Sequence, residues 1–396
     1  MNITIITCVL PWKLQSGGAQ AQFNMIDQLR KKHHITLIFP EDFQNKISAM
    51  KELQLIWPDV KLVAYPIWRQ LLYPRFVHDK AERAFRLTFT PDNERFKVQR
   101  VLMHYGVYPS WDFVRFIKKI IRDEHTDIIQ AEFYPCLRLA KYLPANIKKI
   151  FIHHELKFVK NERSLMVYRP TEKEIEWMKE LKKEELDDLN EFDHIVTLTQ
   201  QDKDTLLQEG ITKPISVSPA AVNTQSRPYK SWNHKLSFVG SFLHQPNQEG
   251  IDWYMKEVIP LMRNIPPLDI IGKGWPDKYK TPHVTTIGYI EDLSKAIHGS
   301  TMIVPILSGS GMRMKILEAA AMSMPIVTTS IGVEGLKFKH RESCLVADTP
   351  HDFALAIEQL TDDAQLCQTL GEQANSVFLK NYSKEVLAEV RNKIYV

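Results

Sequence analysis

The chain has 396 residues, 44% of them hydrophobic, and its 51 Lys and Arg exceed its 47 Asp and Glu by a net +4. That balance is too mild for a nucleic-acid partner, and the length and apolar fraction suit about two domains with ordinary cores. No run reaches the roughly 18–20 apolar residues that span a bilayer, and Cys8, Cys136, Cys344 and Cys367 show no CxxC spacing, against a zinc site or disulfide framework.

The opening "MNITIITCVLPW" has no basic leader and no A-x-A site, so it reads as a first strand rather than a signal peptide. The chain is therefore expected to be cytoplasmic, at most peripheral on the inner face of a membrane. "NITIIT", "HITLIF", "VKLVAY", "DIIQA", "KKIFIH" and "HIVTLT" follow as strands, separated by amphipathic stretches such as "AQAQFNMIDQLRKKH" and "TEKEIEWMKELKKEELDDLNEF". Continuous apolar strands alternating with helices predict parallel sheets covered on both faces. After the first strand, Gly17 and Gly18 allow close backbone approach to a ligand, and the helix from Ala19 offers unpaired N–H groups. A flexible turn explains them equally well, and the spacing is not GxGxxG.

Ile67 to Arg122 is basic and aromatic, with 12 Lys/Arg against 5 Asp/Glu. It fits an anionic membrane surface or a lipid-pyrophosphate acceptor, and equally a solvated helical insertion. Further on, His153, His154 and Glu155 stand just after a strand, where a histidine can serve as base, donor or ring surface. Adjacent histidines seldom face one metal and no third ligand is evident; no DxD-like motif stands out either. The polar, proline-containing "SPAAVNTQSRPYKSWNHK" is the seam. It divides an N-terminal domain, 1–217, from a linker, 218–235, and a C-terminal domain, 236–380. Residues 381–396 form a last helix that could pack back toward the N-terminal domain.

The second half repeats the strand pattern in "KLSFVG", "LDIIGKG", "HVTTIG", "TMIVPI", "PIVTT" and "SCLVA". Gly240 ends its first strand, and Asn247 beyond it suits either a helix cap or a ligand contact. Gly272 and Gly274 read as a tight turn, with Trp275 as a packing residue or a stacking surface; Gly240 and Gly272 are also candidate donor-binding positions. "SGSGMRMKILEAAAMSMPIVTTSIGVEGL" is richer. Ser308 to Met312 form a small-residue loop before a helix whose first turn carries Arg313 and Lys315, cations at the end that disfavours them. A bound anion resolves that conflict, and Glu318, three residues after Lys315, lies on the same helical side.

"FVGSFLHQPNQEGIDWYMKEVIP", "LDIIGKG", "VTTIGYIEDL", "IVPILSGSGMRMKILEAAAMSMPIVTTSIGVEGL" and "CLVADTPHDFALAI", in that order, resemble the donor half of group 1 glycosyltransferases, family 4. "SGGAQAQ", "DIIQAEFYPCLRLAKYL" and "HHELKFVKNER" resemble its N-terminal half more loosely. The resemblance implies the GT-B fold: α/β, two doubly wound Rossmann-like domains facing across a cleft. It implies a retaining, metal-independent hexosyltransferase with no cofactor. A nucleotide-diphosphate sugar, UDP- or GDP-linked, would be its co-substrate. The acceptor would be a glycan or lipid-linked glycan of a cell-surface polysaccharide such as lipopolysaccharide or capsule.

By the same resemblance Glu318 is the second Glu of the Glu-x7-Glu motif, holding the nucleotide ribose, and the first falls at Ser310. Amides of Ser310, Gly311 and Met312 would then contact hexose and phosphate, while Arg313 and Lys315 neutralise the leaving diphosphate. His154 resembles the histidine near the anomeric carbon, His153 being the second choice, and Glu155 could set its tautomer. The rival readings are a nucleotide-sugar epimerase of the same fold and a catalytically silent binding protein.

Overall fold

The computed structural model describes residues 1–14, 16–41, 47–66, 68–69, 110–167, 170–222, 224–290 and 292–395. Of the basic, aromatic stretch, only 68–69 and 110–122 are among them; the remainder lies outside the described residues. The chain divides into two compact units, Met1–Leu14 with Met25–Ser218 and Gln15–Asn24 with Pro219–Val396.

In the first unit β1 (Asn2–Ile6), β2 (His34–Pro40), β3 (Lys61–Tyr65), β4 (Ile128–Glu132), β5 (Lys148–His153), β6 (His194–Thr197) and β7 (Ile215–Val217) form one sheet. Its order is β3-β2-β1-β4-β5-β6-β7, and every pairing is parallel. β4 is buried along its whole length, as a central strand of a helix-flanked parallel sheet must be. The helices are α1 (Gly17–Leu29), α2 (Ile47–Ile56), α3 (Trp111–Asp123), α4 (Lys157–Val167), α5 (Glu172–Leu189) and α6 (Gln200–Gln208). The residues of α1 up to Asn24 group with the second unit.

Local chemistry sets the helix starts. Ser110 Oγ accepts from Phe113 N at 3.2 Å to begin α3, which buries Val114, Ile117 and Ile121 along one stripe. Thr171 and Glu174 form a capping box before α5, Glu174 accepting from Thr171 N at 2.7 Å. The three-residue β7 was not among the strands read from sequence, because "ISV" is too short to carry a period.

The second unit repeats the plan with β8 (Leu236–Val239), β9 (Leu268–Ile271), β10 (Val284–Gly288), β11 (Thr301–Val304), β12 (Ile326–Thr328) and β13 (Leu345–Val346). Their order is β10-β9-β8-β11-β12-β13, again parallel throughout. Around them lie α7 (Gln245–Trp253), α8 (Leu293–Ile297), α9 (Met314–Ala321), α10 (Ser330–Val333), α11 (Pro350–Asp362), α12 (Ala364–Tyr382) and α13 (Lys384–Asn392). Arg391 of α13 is buried and donates to the Pro219 carbonyl at 2.8 Å. Two doubly wound parallel sheets make this the α/β fold that the alternating pattern predicts.

Each sheet order reverses once, between β1 and β4 and between β8 and β11. Such switch points are where open α/β sheets bind ligands, beyond the carboxyl ends of the strands. In the second unit the geometry there depends on Gly250 of α7, whose missing Cβ would stand 2.1 Å from the Pro305 carbonyl oxygen just after β11. Gly250→Ala gains about 1 kcal/mol of helix propensity but must push the two segments apart. A net loss of about 1–3 kcal/mol, read from denaturant midpoints at constant slope, is the expected outcome.

Candidate functional site

The segment leaving β11 is built to hold a tight loop. Gly309 (φ +99°) and Gly311 (φ +77°) take left-handed backbone, which glycine adopts without steric cost. A Cβ on Gly309 would also meet Pro246 Cγ at 3.2 Å. Ser308 and Ser310 are buried, and Ser308 Oγ donates to the Glu249 carboxylate. Arg313 occupies the position before the first turn of α9, and its guanidinium folds back onto the loop. It donates to the carbonyl of Ser310 at 2.6 Å and to that of Gly311. Arg313 thus fixes the loop as well as charging it. Met312 points its sulfur at Ala220, accepting from the amide at 3.3 Å.

Lys315 and Glu318 leave α9 one turn apart and find separate partners. Lys315 Nζ donates to Asn247 Oδ1 at 2.9 Å and lies 3.9 Å from the centroid of the Phe238 ring, a cation–π contact. Asn247 does not cap α7, whose cap position is His244. Its amide instead donates to the Ser241 carbonyl at 2.8 Å, so one side chain ties the loop after β8 to the ammonium. Gly240 is needed for this, since a Cβ there would fall 2.5 Å from Asn247 Nδ2. Gly272 (φ +152°) likewise serves internal packing, its missing Cβ lying 2.1 Å from the Gly240 carbonyl oxygen. Trp275 donates from Nε1 to that same carbonyl at 2.8 Å. It packs edge-on against Phe238, Phe242 and Tyr279.

Glu318 is only 5% exposed. Its Oε1 accepts from Gln20 Nε2 at 3.0 Å. Gln20 stands in the opening turns of α1, where Ser16 Oγ accepts from Ala19 N at 3.2 Å. Gly17 opens that helix, its Cα so close to α9 that a Cβ would touch Met314 Cγ at 3.1 Å; Gly18 follows in the first turn. Gln20 and Phe238 went unread in the sequence. The signal for Gln20 was its place three residues after Gly17 on a helix start.

In the first unit the two histidines part company. His153 is buried, and its Nε2 lies 3.1 Å from Glu185 Oε1. Glu185 also accepts from the amides of Lys157 and Phe158 at 3.0 and 2.9 Å, so His153 belongs to the anchoring of α4. His154, just past β5, has its Nε2 3.1 Å from Glu132 Oε2. Its ring stacks on Phe133 at 4.0 Å between centroids and 8° between planes. The carboxylate at this ring is therefore Glu132, at the end of β4, and not the adjacent Glu155, whose Oε1 accepts from Lys160 Nζ at 3.3 Å. Gln130 and Glu132 were legible in principle, as polar residues at period 2 on one face of an otherwise apolar strand. Among the described residues no group of three or more His, Cys, Asp or Glu could hold a metal ion. Nor is any described helix long and apolar enough to cross a membrane.

Comparison with known proteins adds two family matches. Glycosyltransferase Family 4 matches residues 16–226, and Glycosyl transferases group 1 matches 233–363. An uncharacterized 44.6 kDa protein in the cps region of Klebsiella pneumoniae is 27% identical over 175 residues, 40% of this chain and 45% of that protein. The chain thus spans less than half the length of the curated relative it matches. Sucrose-phosphate synthase from Thermosynechococcus elongatus has a TM-score of 0.71 at 15% identity, over 100% of this chain and 98% of that one. A variant of S. aureus TarM in complex with fondaparinux, alpha-GlcNAc-glycerol and UDP has a TM-score of 0.70 at 12% identity, over 100% of both chains. These structural likenesses place the fold among GT-B glycosyltransferases.

Burial dominates the electrostatics of α9. It lowers the Lys315 ammonium to about 7, with the Arg313 charge adding and Glu318 opposing. It raises the Glu318 carboxyl to about 7, against the Gln20 hydrogen bond and the Lys315 charge. For a lysine lowered in the folded state, the unfolded chain binds more protons between about 7 and its ordinary value, so stability rises with pH across that window. Lys315→Met removes the buried cation. It should raise the melting temperature most below pH about 7, with an advantage that narrows as pH climbs toward 10. Melting curves of both proteins across that range give the comparison, and a gain independent of pH would contradict the buried-ammonium assignment.

Proposed function

The chain belongs to glycosyltransferase family 4, and from that premise we propose that it is a retaining, metal-independent glycosyltransferase. It moves a hexose from a nucleotide-diphosphate sugar to a glycan or lipid-linked glycan of a cell-surface polysaccharide. The observation that carries the reading is the pairing on α9 of a depressed, Asn247-held Lys315 with a buried Glu318 one turn on. It sits where the β8–β11 switch point would receive a ligand. A diphosphate supplies the negative charge that Lys315 and the first-turn amides of α9 lack. Ribose hydroxyls give Glu318 the donors it takes from Gln20 in the free protein. UDP in the TarM complex supports a nucleotide donor, and the cps-region relative supports a polysaccharide product.

In the proposed reaction the bond from the anomeric carbon to the diphosphate oxygen breaks, and its electron pair stays on that oxygen. The acceptor hydroxyl oxygen bonds to the anomeric carbon on the same face, and its proton passes to the departing phosphate. Lys315, with the Arg313 charge behind it, stabilises the leaving diphosphate as charge develops, a preorganised electrostatic role. Amides of Ser310, Gly311 and Met312 meet the sugar-phosphate end, Gly17 and Gly18 let backbone approach it, and His154 stands at the transferring sugar. UDP- and GDP-sugars are the donors to test.

The exposed side of α3, with Arg115, Lys118, Lys119, Arg122 and Trp111, supports contact with an anionic membrane. Each such cation contributes about 1 kcal/mol near an acidic surface. Replacing the four with Glu should abolish sedimentation with phosphatidylserine vesicles and leave soluble-donor hydrolysis intact.

Lys315→Ala and Glu318→Ala are each expected to weaken UDP- or GDP-sugar binding roughly 10- to 100-fold, the range for lost hydrogen bonds to charged groups. Calorimetry that finds unchanged affinity in both folded variants rejects the site. Because bound diphosphate pulls the lowered Lys315 back toward its charged form, donor binding near pH about 8 should take up protons. Titration in buffers of different ionisation enthalpy reads that uptake, which Lys315→Met should remove.

A further inference from the structure

The first unit holds a buried polar chain in the crook of its own switch point. β4 places Gln130 and Glu132 on one face, both fully buried. Gln130 Nε2 donates to Glu132 Oε1 at 2.6 Å, and Glu132 Oε2 faces His154 Nε2 at 3.1 Å. A carboxylate receiving an amide N–H on one oxygen is an acceptor on the other, so the ring proton belongs on Nε2. The neighbouring thiol does not compete for this role. Cys136 is pushed up by the Cys8 thiol, by burial and by the Glu132 charge, so it stays protonated.

Phe133 completes the arrangement. Its φ of +65° with ψ of 148° is a conformation that costs a non-glycine residue on the order of 1–3 kcal/mol, and it brings the ring flat against His154. The His154 side chain is only 9% exposed. Its Nδ1 is buried with no hydrogen-bond partner among the described residues. A buried ring nitrogen without a partner, on a ring fixed at its other nitrogen and along its face, calls for a donor that the described residues do not supply.

We propose that Glu132 is a positioning residue that locks His154 in the Nε2–H tautomer, leaving the Nδ1 lone pair to accept a hydrogen bond from a hydroxyl of the transferring sugar. Phe133 sets the plane in which that bond forms. The assignment rests on the reading of His154 as the group at the sugar, and it adds which ring atom acts and what holds it.

The test uses the full chain. Ring-nitrogen NMR of histidine-labelled protein, assigned by the signals lost in His154→Gln, should show the Nε2–H tautomer. In Glu132→Gln the new amide donates to Nε2 and drives the proton to Nδ1. Turnover of the best UDP- or GDP-sugar should then fall roughly 10- to 100-fold, with UDP affinity within about twofold of the parent. Phe133→Leu should keep the tautomer and lose turnover by about tenfold, which separates ring orientation from proton placement. An Nδ1–H tautomer in the parent overturns the proposal. So does Glu132→Gln with parental turnover, or with lost turnover and an unmoved ring proton. Absence of sugar transfer by the parent protein refutes the functional reading instead, and the tautomer spectra still decide whether Glu132 positions the ring.

Discussion

A cation held against the positive end of a helix, and away from water, is the arrangement on which the second unit's site depends. Lys315 stands in the first turn of α9, where the helix dipole repels it. Asn247 and Phe238 give the ammonium an oxygen and a π-face, which is less than water gives and explains why its proton is loosely held. The neighbouring elements are shaped around this compromise. Gly240 is bare so that Asn247 can reach, Gly272 is bare so that β9's exit can pass the Gly240 carbonyl, and Trp275 takes that carbonyl's hydrogen bond.

Both units put their unusual chemistry at the one place where a doubly wound sheet reverses order. In the first unit this is the exit of β4, with a buried carboxylate and a residue in left-handed backbone. In the second it is the exits of β8 and β11, with an underheld cation and a buried acid. Strain, orphaned polar atoms and displaced protonation equilibria are costs that packing alone would not retain. Their concentration at two switch points is why a ligand is the economical account of them.

Much of the fold was legible because the strands of both sheets read as short, apolar-rich runs alternating with helical stretches, as β1, β2, β8 and β11 do. "ISV" escaped because three residues fix no period. In the site, Lys315 and Glu318 announced themselves by charge at the wrong helix end and by helical spacing. Arg313's turn back onto Ser310 and Gly311 could not be read, since a side chain's direction at a helix cap depends on loop dihedrals. Asn247 was ambiguous for the same reason: an asparagine near a helix start suits a cap, and only the tertiary position of Lys315 decides otherwise. Glu155 is the partner that adjacency suggests for His154, yet both lie in the bend after β5, where Glu155 pairs with Lys160 and His154 with Glu132. The partner came from the next strand, which sequence distance hides.

The exit of β5 gives the His153–His154 pair a division of labour. One imidazole faces inward to Glu185, whose carboxylate also gathers the first amides of α4; the other faces the β4 exit. The two rings differ by a single step in the chain and by everything in their surroundings. A one-residue slip in register at the end of β5 would exchange them, taking one imidazole away from Glu185 and the other away from Glu132 and Phe133. The register of β5 therefore matters to this pair as much as the identity of either histidine.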